Sequence, residues 1–260
     1  SLTLGVGSAI GSAGQVLGPP AAEILLQSFP WQTVFLIFAA VILVTLLALP
    51  SLKPPARTAV HAEPPEPMLT VLNRALRDPS YTMIFLGFFS CGYQLGFITA
   101  HFPAFITEVC GPIDPSGMLA GLGIATTSAL GAAAVAVIGI ANIGGSVLSG
   151  WLGGHFPKKY LLAAVYTGRT LASAIFILLP MTPASVLIYS VVMGSLWLAT
   201  VPLTSGLVAQ LYGVRYMGTL YGFVFLSHQI GSFLRVWLGG RMYDLNGDYT
   251  LVWLIGVGVC

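Results

Sequence analysis

Long apolar stretches recur along the chain and are separated by short segments rich in proline, glycine or charged residues. Most of them reach the roughly 20 residues that an α-helix needs to cross the hydrocarbon core of a bilayer. Since lipid offers the backbone no hydrogen-bond partner, such stretches are expected to be helical. The pattern predicts eight spans: Ser1–Leu26, Trp31–Leu49, Tyr81–Thr107, Leu130–Gly153, Tyr160–Leu179, Ser185–Gln210, Met217–Leu238 and Tyr249–Cys260.

Both ends of the chain interrupt this pattern. The last span has only 12 residues, so it stops inside the bilayer, and the first begins apolar without a methionine or a flanking charge. We therefore expect a fragment whose final helix is truncated.

The composition is typical of a membrane protein. Hydrophobic residues make up 56% of the chain and charged residues 7%, whereas a soluble domain has about 25% charged residues. The net charge of +2 is small and the basic residues are scattered, so the lipid bilayer and not nucleic acid is the expected partner. Cys91, Cys110 and Cys260 lie far apart without metal-ligand spacing, which indicates free thiols, no metal and no cofactor.

The distribution of basic residues predicts the orientation, because Lys and Arg in loops are retained on the cytoplasmic side. One set of alternate loops holds seven of them, and the opposite set holds only Arg241, beside several acidic residues. Residue 1 and the loop 50–80 are therefore predicted to be cytoplasmic. The seven are Lys53, Arg57, Arg74, Arg77, Lys158, Lys159 and Arg215.

The loop 50–80 is the one linker in the chain. Its stretch LPSLKPPARTAVHAEPPEPM has six prolines and no hydrophobic period, which favours an extended chain. The following LTVLNRAL predicts a short amphipathic helix on the membrane surface. We divide the chain into the end of an N-terminal bundle (1–49), the linker (50–80) and a six-helix C-terminal bundle (81–260). A protein of 12 spans in two halves, without its first four, would have this arrangement.

Three motifs resemble the major facilitator superfamily, in its branch of bacterial monocarboxylate and oxalate/formate carriers. GSAIGSAGQVLGPPAAE in span one resembles the antiporter signature of the fifth helix, with Gly7, Gly11, Gly14, Gly18 and Pro19 in place. Glycines four residues apart let two helices approach closely, and a Gly-Pro pair bends a helix.

The second motif, GWLGGHFPKK, is similar to the family's loop signature after the second and eighth helices, and Gly150, Lys158 and Lys159 match it. Gly154 stands at its acidic position. The third motif, residues 220–249, resembles the eleventh helix and the loop that follows it in monocarboxylate carriers, with Arg235 where they have glycine.

The resemblance implies an all-α helical bundle in the inner (plasma) membrane of a bacterium. It also implies a carrier that works by symport or antiport, with no enzymatic activity. The first two motifs would then serve helix packing and gating.

Strongly polar side chains at membrane depth are costly, so they normally face a cavity or a partner. At 1.5 Å per residue, Arg169 and His228 both lie roughly 15 Å into their spans, near the midplane, where secondary carriers bind their substrates. The candidate substrate-binding residues are Arg169, His228, Tyr93, Gln94, Trp197, Tyr221 and Arg235.

Structural roles are the alternatives for most of these residues. His228 could serve as an interhelical hydrogen-bond donor, and Arg235 could extend toward the outer surface. Tyr93, Gln94 and Trp197 could serve packing alone. Arg169 is the strongest functional candidate, because a guanidinium does not give up its proton.

The sign of these charges indicates the substrate. The spans after the linker contain basic but no acidic residues at mid-depth, and the guanidinium fork matches a carboxylate. The hypothesis is therefore a secondary transporter of a small organic anion, a monocarboxylate, with His228 donating a hydrogen bond or a coupled proton. A proton-coupled drug or metabolite exporter and a non-transporting receptor-like module remain the alternatives.

Overall fold

A computed structural model of the chain describes residues 2–51 and 66–259, and these residues form helices and loops without a β-strand. Lys53, Arg57, Cys260 and most of the predicted linker lie outside the described residues. The helices are α1 (Leu2–Gly11), α2 (Ala13–Leu26), α3 (Trp31–Val44), a 3-10 helix (Thr45–Ser51), α4 (Met68–Arg77), α5 (Pro79–Ala100), α6 (Phe102–Val109), α7 (Met118–Gly121), α8 (Thr127–His155), α9 (Lys158–Leu178), α10 (Pro183–Trp197), α11 (Thr200–Tyr212), α12 (Val214–Asn246) and α13 (Thr250–Val259).

Three predicted spans are interrupted where the sequence pattern predicts continuous helices. The first divides at Ser12, the third at His101 and the sixth at Leu198 and Ala199. Proline explains the last break, because the ring of Pro202 clashes with the carbonyl four residues earlier, which belongs to Leu198. Pro103 lies in the first turn of α6, where proline is tolerated, and it separates α6 from α5.

Five segments of the described chain are long and apolar enough to cross a membrane. These confirm the prediction of an all-α membrane protein. The helix α12 has 33 residues but is not one of the five, and α13 is a shorter apolar helix. The five are Trp31–Ala48, Pro79–Ala100, Thr127–His155, Lys158–Leu178 and Pro183–Tyr212.

Glycine determines how closely the central helices pack. A Cβ atom added to Gly92 of α5 would lie 1.9 Å from the carbonyl oxygen of His228, and one added to Gly231 of α12 would lie 2.2 Å from that of Phe89. Real Cβ atoms do not approach other atoms this closely. The backbones of α5 and α12 are therefore in direct contact, and α12 forms a more extensive contact with α5 than with any other described helix.

The helix α8 connects the segment before the linker to the segment after it. It packs against α1 and α2 on one side and against α6, α10 and α11 on others. The α1–α8 contact is close at Gly5, where an added Cβ would lie 2.6 Å from the carbonyl oxygen of Ser146. The predicted amphipathic helix is present as α4, which buries Val71 and Ala75.

One end of the bundle gathers several of the basic residues. Arg74 and Arg215 line a common surface cleft there. Next to them Asp78 caps α5 by accepting from the Ser80 N–H at 2.8 Å, and the Tyr212 hydroxyl donates to the same carboxylate at 2.5 Å. Bonds from Tyr212 and Ser80 lower the pKa of Asp78. The cytoplasmic placement of this end remains a prediction.

Candidate functional site

Arg169 of α9 is completely buried in the bundle, at 0% exposure. Its Nη1 donates to the Sγ of Cys91 at 3.0 Å, and its Nη2 donates to the carbonyl oxygen of Cys91 at 3.3 Å. The guanidinium thus holds α9 against α5 through one residue. From the sequence alone, Cys91 was predicted only to be a free thiol. Its position three residues before Gln94, on the same helix face, is the signal that would have placed it in this cluster.

His228 lies beside the same thiol, since Cys91 interacts electrostatically with both Arg169 and His228. The His228 ring stacks parallel to that of Phe225 at 5.4 Å and lies 5.2 Å from that of Phe88. Its buried Nδ1 has no hydrogen-bond partner within the described part of the chain. The structure therefore brings together the two residues that the sequence placed at equal depth.

Gln94 supports this cluster from the α5 side. Its Nε2 donates to the carbonyl oxygen of Arg169 at 3.3 Å and to the Ser173 hydroxyl at 2.9 Å. The Ser173 and Tyr189 hydroxyls are 3.3 Å apart. These bonds join α5, α9 and α10 and fix the backbone from which Arg169 projects.

Arg235 of α12 is buried with 2% exposure, which argues against the alternative that it extends toward the outer surface; its role in substrate binding remains a prediction. Its guanidinium lies 4.8 Å from the ring centre of Tyr93 and 5.1 Å from that of Phe97. The absence of a side chain at Gly256 of α13 makes room for it, since a Cβ there would lie 2.2 Å from Nη1. Cation–π attraction to two rings explains how a cation is held among apolar side chains.

A small cavity separates the two arginine clusters. Gln94 and Ser173 line it on one side, and Arg235 and Trp253 on the other. Its volume is about 10 Å³, close to the room that one water molecule needs. The indole Nε1 of Trp253 is buried without a hydrogen-bond partner in the described residues, which leaves a donor for such a water.

Tyr221 and Trp197 lie at the border of the Arg169 cluster. The Tyr221 ring packs 5.8 Å from that of Phe88, and its hydroxyl is buried without a hydrogen-bond partner among the residues described. Trp197 is buried at the end of α10, next to the break before α11. A direct role of either side chain in binding remains a prediction.

Among the described residues, no other helix lies close to the predicted packing glycines of span one on the side where a Cβ would project. A Cβ added to Gly7, Gly11, Gly14 or Gly18 would meet no atom within 4 Å, and Pro19 lies inside α2. Gly5 makes the close approach instead, and the predicted role of the other four glycines and of Pro19 remains a prediction.

The second motif lies at one end of α8 and the start of α9. Gly150 is at the α1–α8 contact, 3.3 Å from a Cβ added to Gly5. Lys158 reaches the side-chain oxygen of Gln210 at 3.5 Å, and Lys159 lies over the Tyr160 ring at 4.9 Å. Their role in gating remains a prediction.

Burial separates the charges of the described residues by sign. Arg169 and Arg235 are the charged side chains that are buried in the described part of the chain. The carboxylates described there are exposed or half-buried, and Glu23, the one within span one, accepts from the Ser128 hydroxyl at 3.0 Å. The buried charges are thus cationic.

The chain was compared with known proteins. It is 25% identical over 267 residues to the uncharacterized MFS-type transporter YcxA of Bacillus subtilis (strain 168), which covers all of this chain and 60% of the relative. Two structures of FucP are similar in fold. The first, a crystal structure of this Major Facilitator Superfamily transporter in the outward conformation, matches at a TM-score of 0.59 and 18% identity, over 88% of this chain and 51% of FucP.

The E. coli fucose:proton symporter FucP matches at a TM-score of 0.60 and 17% identity, over 91% of this chain and 57% of that one. The chain therefore spans about half to three-fifths of the length of these proteins. The sequence profile of the Major Facilitator Superfamily matches residues 1–234. With this match and with a helical fold shared with these transporters, the chain belongs to the Major Facilitator Superfamily.

Proposed function

We propose that the protein is a secondary active transporter that moves a small organic anion, a monocarboxylate, across the membrane by alternating access. The observation that carries the proposal is the sign of the buried charges, since Arg169 and Arg235 are both cations. A bundle with positive charge in its interior favours an anionic ligand over a cationic or a neutral one.

The geometry of Arg169 suits a carboxylate in particular. Its two terminal nitrogens now donate in parallel to the thiol and the carbonyl oxygen of Cys91. A carboxylate offers two oxygens to the same planar fork and replaces two neutral acceptors with charged ones. His228, beside the same thiol, supplies a further hydrogen-bond donor or a coupled proton.

Alternating access requires that two groups of helices move against each other around the substrate. In the described residues α1 and α2 contact the C-terminal helices through α8 and α11. We propose that this contact rocks during transport and that an ion or substrate gradient drives it. The placement of residue 1 and the loop 50–80 in the bacterial cytoplasm is part of the same proposal.

Uptake of radiolabelled mono- and dicarboxylates into proteoliposomes containing the full-length protein tests the proposal. Arg169→Lys keeps the charge but loses the fork, and loss of one charge-assisted hydrogen bond should raise KM about tenfold or more. Arg241→Lys makes the same exchange at an exposed position and should leave KM unchanged.

Three results would contradict the proposal in different ways. Carboxylate transport with an unchanged KM in Arg169→Lys would make the arginine structural. Transport of a lipophilic cation without any carboxylate would favour a drug exporter. Transport of fucose alone would indicate a neutral sugar as the substrate, as in the E. coli symporter.

A further inference from the structure

Asn142 of α8 uses its whole hydrogen-bonding capacity inside the protein. It is 0% exposed, and its Nδ2 donates to the Ser12 hydroxyl at 3.0 Å and to the Gln15 side-chain oxygen at 3.2 Å. Its Oδ1 accepts from the backbone N–H of Leu198 at 2.9 Å and from the Ser146 hydroxyl at 3.3 Å. Two donors and two acceptor positions are all that an asparagine amide has.

The Leu198 bond fixes the orientation of the amide. A backbone N–H can only donate, so the atom that faces Leu198 is the oxygen, and the nitrogen faces Ser12 and Gln15. One end of Asn142 therefore binds the segment before the linker, and the other end binds the C-terminal bundle.

Two of the four hydrogen-bond partners of Asn142 lie between helices. Ser12 is the residue between α1 and α2, and Leu198 is the first residue after α10. At Leu198 the backbone N–H donates to Asn142 and not to the preceding helical turn, so the chain can change direction there at small cost. At Ser12 the backbone bonding continues, from Ser12 to Ser8 at 3.2 Å and from Val16 to Ser12 at 3.3 Å. A single side chain therefore connects the junction of α1 and α2 to a true break in the C-terminal bundle.

The break at Leu198 leads directly to the Arg169 cluster. Thr200 is two residues further on, and its hydroxyl lies 3.7 Å from the thiol of Cys91. That thiol accepts from Arg169 at 3.0 Å. A shift of the chain at Leu198 therefore moves Thr200 and changes the contact that holds Arg169.

The close contact between α8 and α10 prevents these two helices from moving independently when the chain shifts at Leu198. A Cβ added to Gly145 would lie 1.9 Å from the carbonyl oxygen of Ser195, and one added to Gly194 would lie 2.5 Å from that of Ile138. The two backbones touch on both sides of Asn142. Movement of α1 and α2 against α8 is consequently passed to the α10–α11 break.

We propose that Asn142 is a positioning residue that couples the seating of α1 and α2 on α8 to the arrangement of Cys91 and Arg169. This proposal rests on the proposed function: the side chain of Asn142 would transmit the movement of α1 and α2 against α8 to Arg169. When Ser12 moves away from α8, Asn142 loses a partner, the break at Leu198 relaxes, and the thiol of Cys91 becomes accessible.

The rate at which N-ethylmaleimide alkylates Cys91 measures this coupling without any substrate. It is measured in the full-length protein in proteoliposomes, with Cys110, Cys260 and any cysteine outside this sequence replaced by alanine. Ser12→Ala removes the hydrogen bond from Asn142 and the bond that the Ser12 hydroxyl donates to the carbonyl oxygen of Ser8, and it should accelerate alkylation about two- to tenfold. Asn142→Leu, which removes all four bonds of the amide, should accelerate it further. Ser8→Ala is the matched control for the bond within the helix, because among the described residues the Ser8 hydroxyl donates only to Leu4 of its own helix.

Cys110 distinguishes coupling from a general loosening of the fold. It is also buried, and its alkylation is measured in a protein that keeps Cys110 and has Cys91 replaced by alanine. Coupling predicts that Ser12→Ala accelerates alkylation of Cys91 alone. Equal acceleration at both cysteines would overturn the inference. So would a Cys91 alkylation rate in Ser12→Ala equal to that in Ser8→Ala. If Asn142→Leu does not fold, the result for Ser12→Ala decides. Selective acceleration in a protein that moves no carboxylate would support the coupling and refute the proposed function.

Discussion

Gly92→Ala should separate the two helices that carry the site. The added methyl group would lie 1.9 Å from the carbonyl oxygen of His228, where ordinary contact begins at 3.4 Å. The difference means that α5 and α12 must move apart by about 1.5 Å. The obstacle is backbone and not the end of a flexible side chain, so no rotamer change relieves it.

The size of the effect follows from this geometry. Overpacking of a core costs about 1–3 kcal/mol, and more where the backbone has to shift. Alanine regains about 1 kcal/mol of helix propensity over glycine. The upper end of the range, less this gain, predicts that the free energy of unfolding falls by about 2 kcal/mol. Activity should also fall, because His228 moves away from Cys91.

Unfolding of the purified protein in mixed micelles by increasing SDS measures this free energy. Gly222→Ala on α12 is the control, because an added Cβ there meets nothing within 4 Å; its stability should equal or slightly exceed that of the wild type. If Gly92→Ala and Gly222→Ala unfold within about 0.5 kcal/mol of each other, the close approach of α5 and α12 is refuted.

Two further predictions concern the second arginine and the bundle end. Tyr93→Leu removes one of the two rings that contact the Arg235 guanidinium and should lower the free energy of SDS unfolding by about 2 kcal/mol. Tyr93→Phe keeps the ring and should lower it much less. Equal losses would exclude the cation–π contact as the cause. Asp78→Asn should lower thermal stability near neutral pH, because the lowered pKa of Asp78 stabilises the folded state above the unfolded pKa of about 3.9. This difference in thermal stability from the wild type should disappear as the pH falls through the folded pKa of Asp78. A difference that persists unchanged at low pH would show that the ionised carboxylate is not its cause. Asp244→Asn, at an exposed position, is the control.

The sequence predicted which helices would form because length and apolarity alone determine membrane insertion. The same criteria are insensitive to breaks within an apolar stretch. Pro202 explains why the apolar stretch breaks, yet the N–H of Leu198 at the end of α10 is satisfied by the side chain of Asn142, which no local pattern indicates. Ser12 carries no signal of its own, since its break is stabilised by a residue 130 positions away.

The candidate site was predicted in part for a similar reason. Equal depth along two helices brought Arg169 and His228 together, because depth can be counted in residues. Rotation about the helix axis and tertiary distance cannot be counted in this way. The contact of Cys91 with Arg169 and the burial of Arg235 against Gly256 therefore became visible only in three dimensions.

The long sequence separation between α1–α2 and α8 has a consequence for biogenesis. Ser12 and Gln15 emerge from the ribosome well over a hundred residues before Asn142, the partner that satisfies them. Contacts between distant parts of a chain form late, because the intervening segment must be ordered first. Until α8 has been inserted, the Ser12 hydroxyl has its bond to the carbonyl oxygen of Ser8 in the same segment, whereas the Gln15 side chain must be shielded by the insertion machinery or by water at the membrane surface. The first helices of this chain therefore enter the bilayer before they can complete their polar contacts. The helix that completes them, α8, is translated only after α4 to α7.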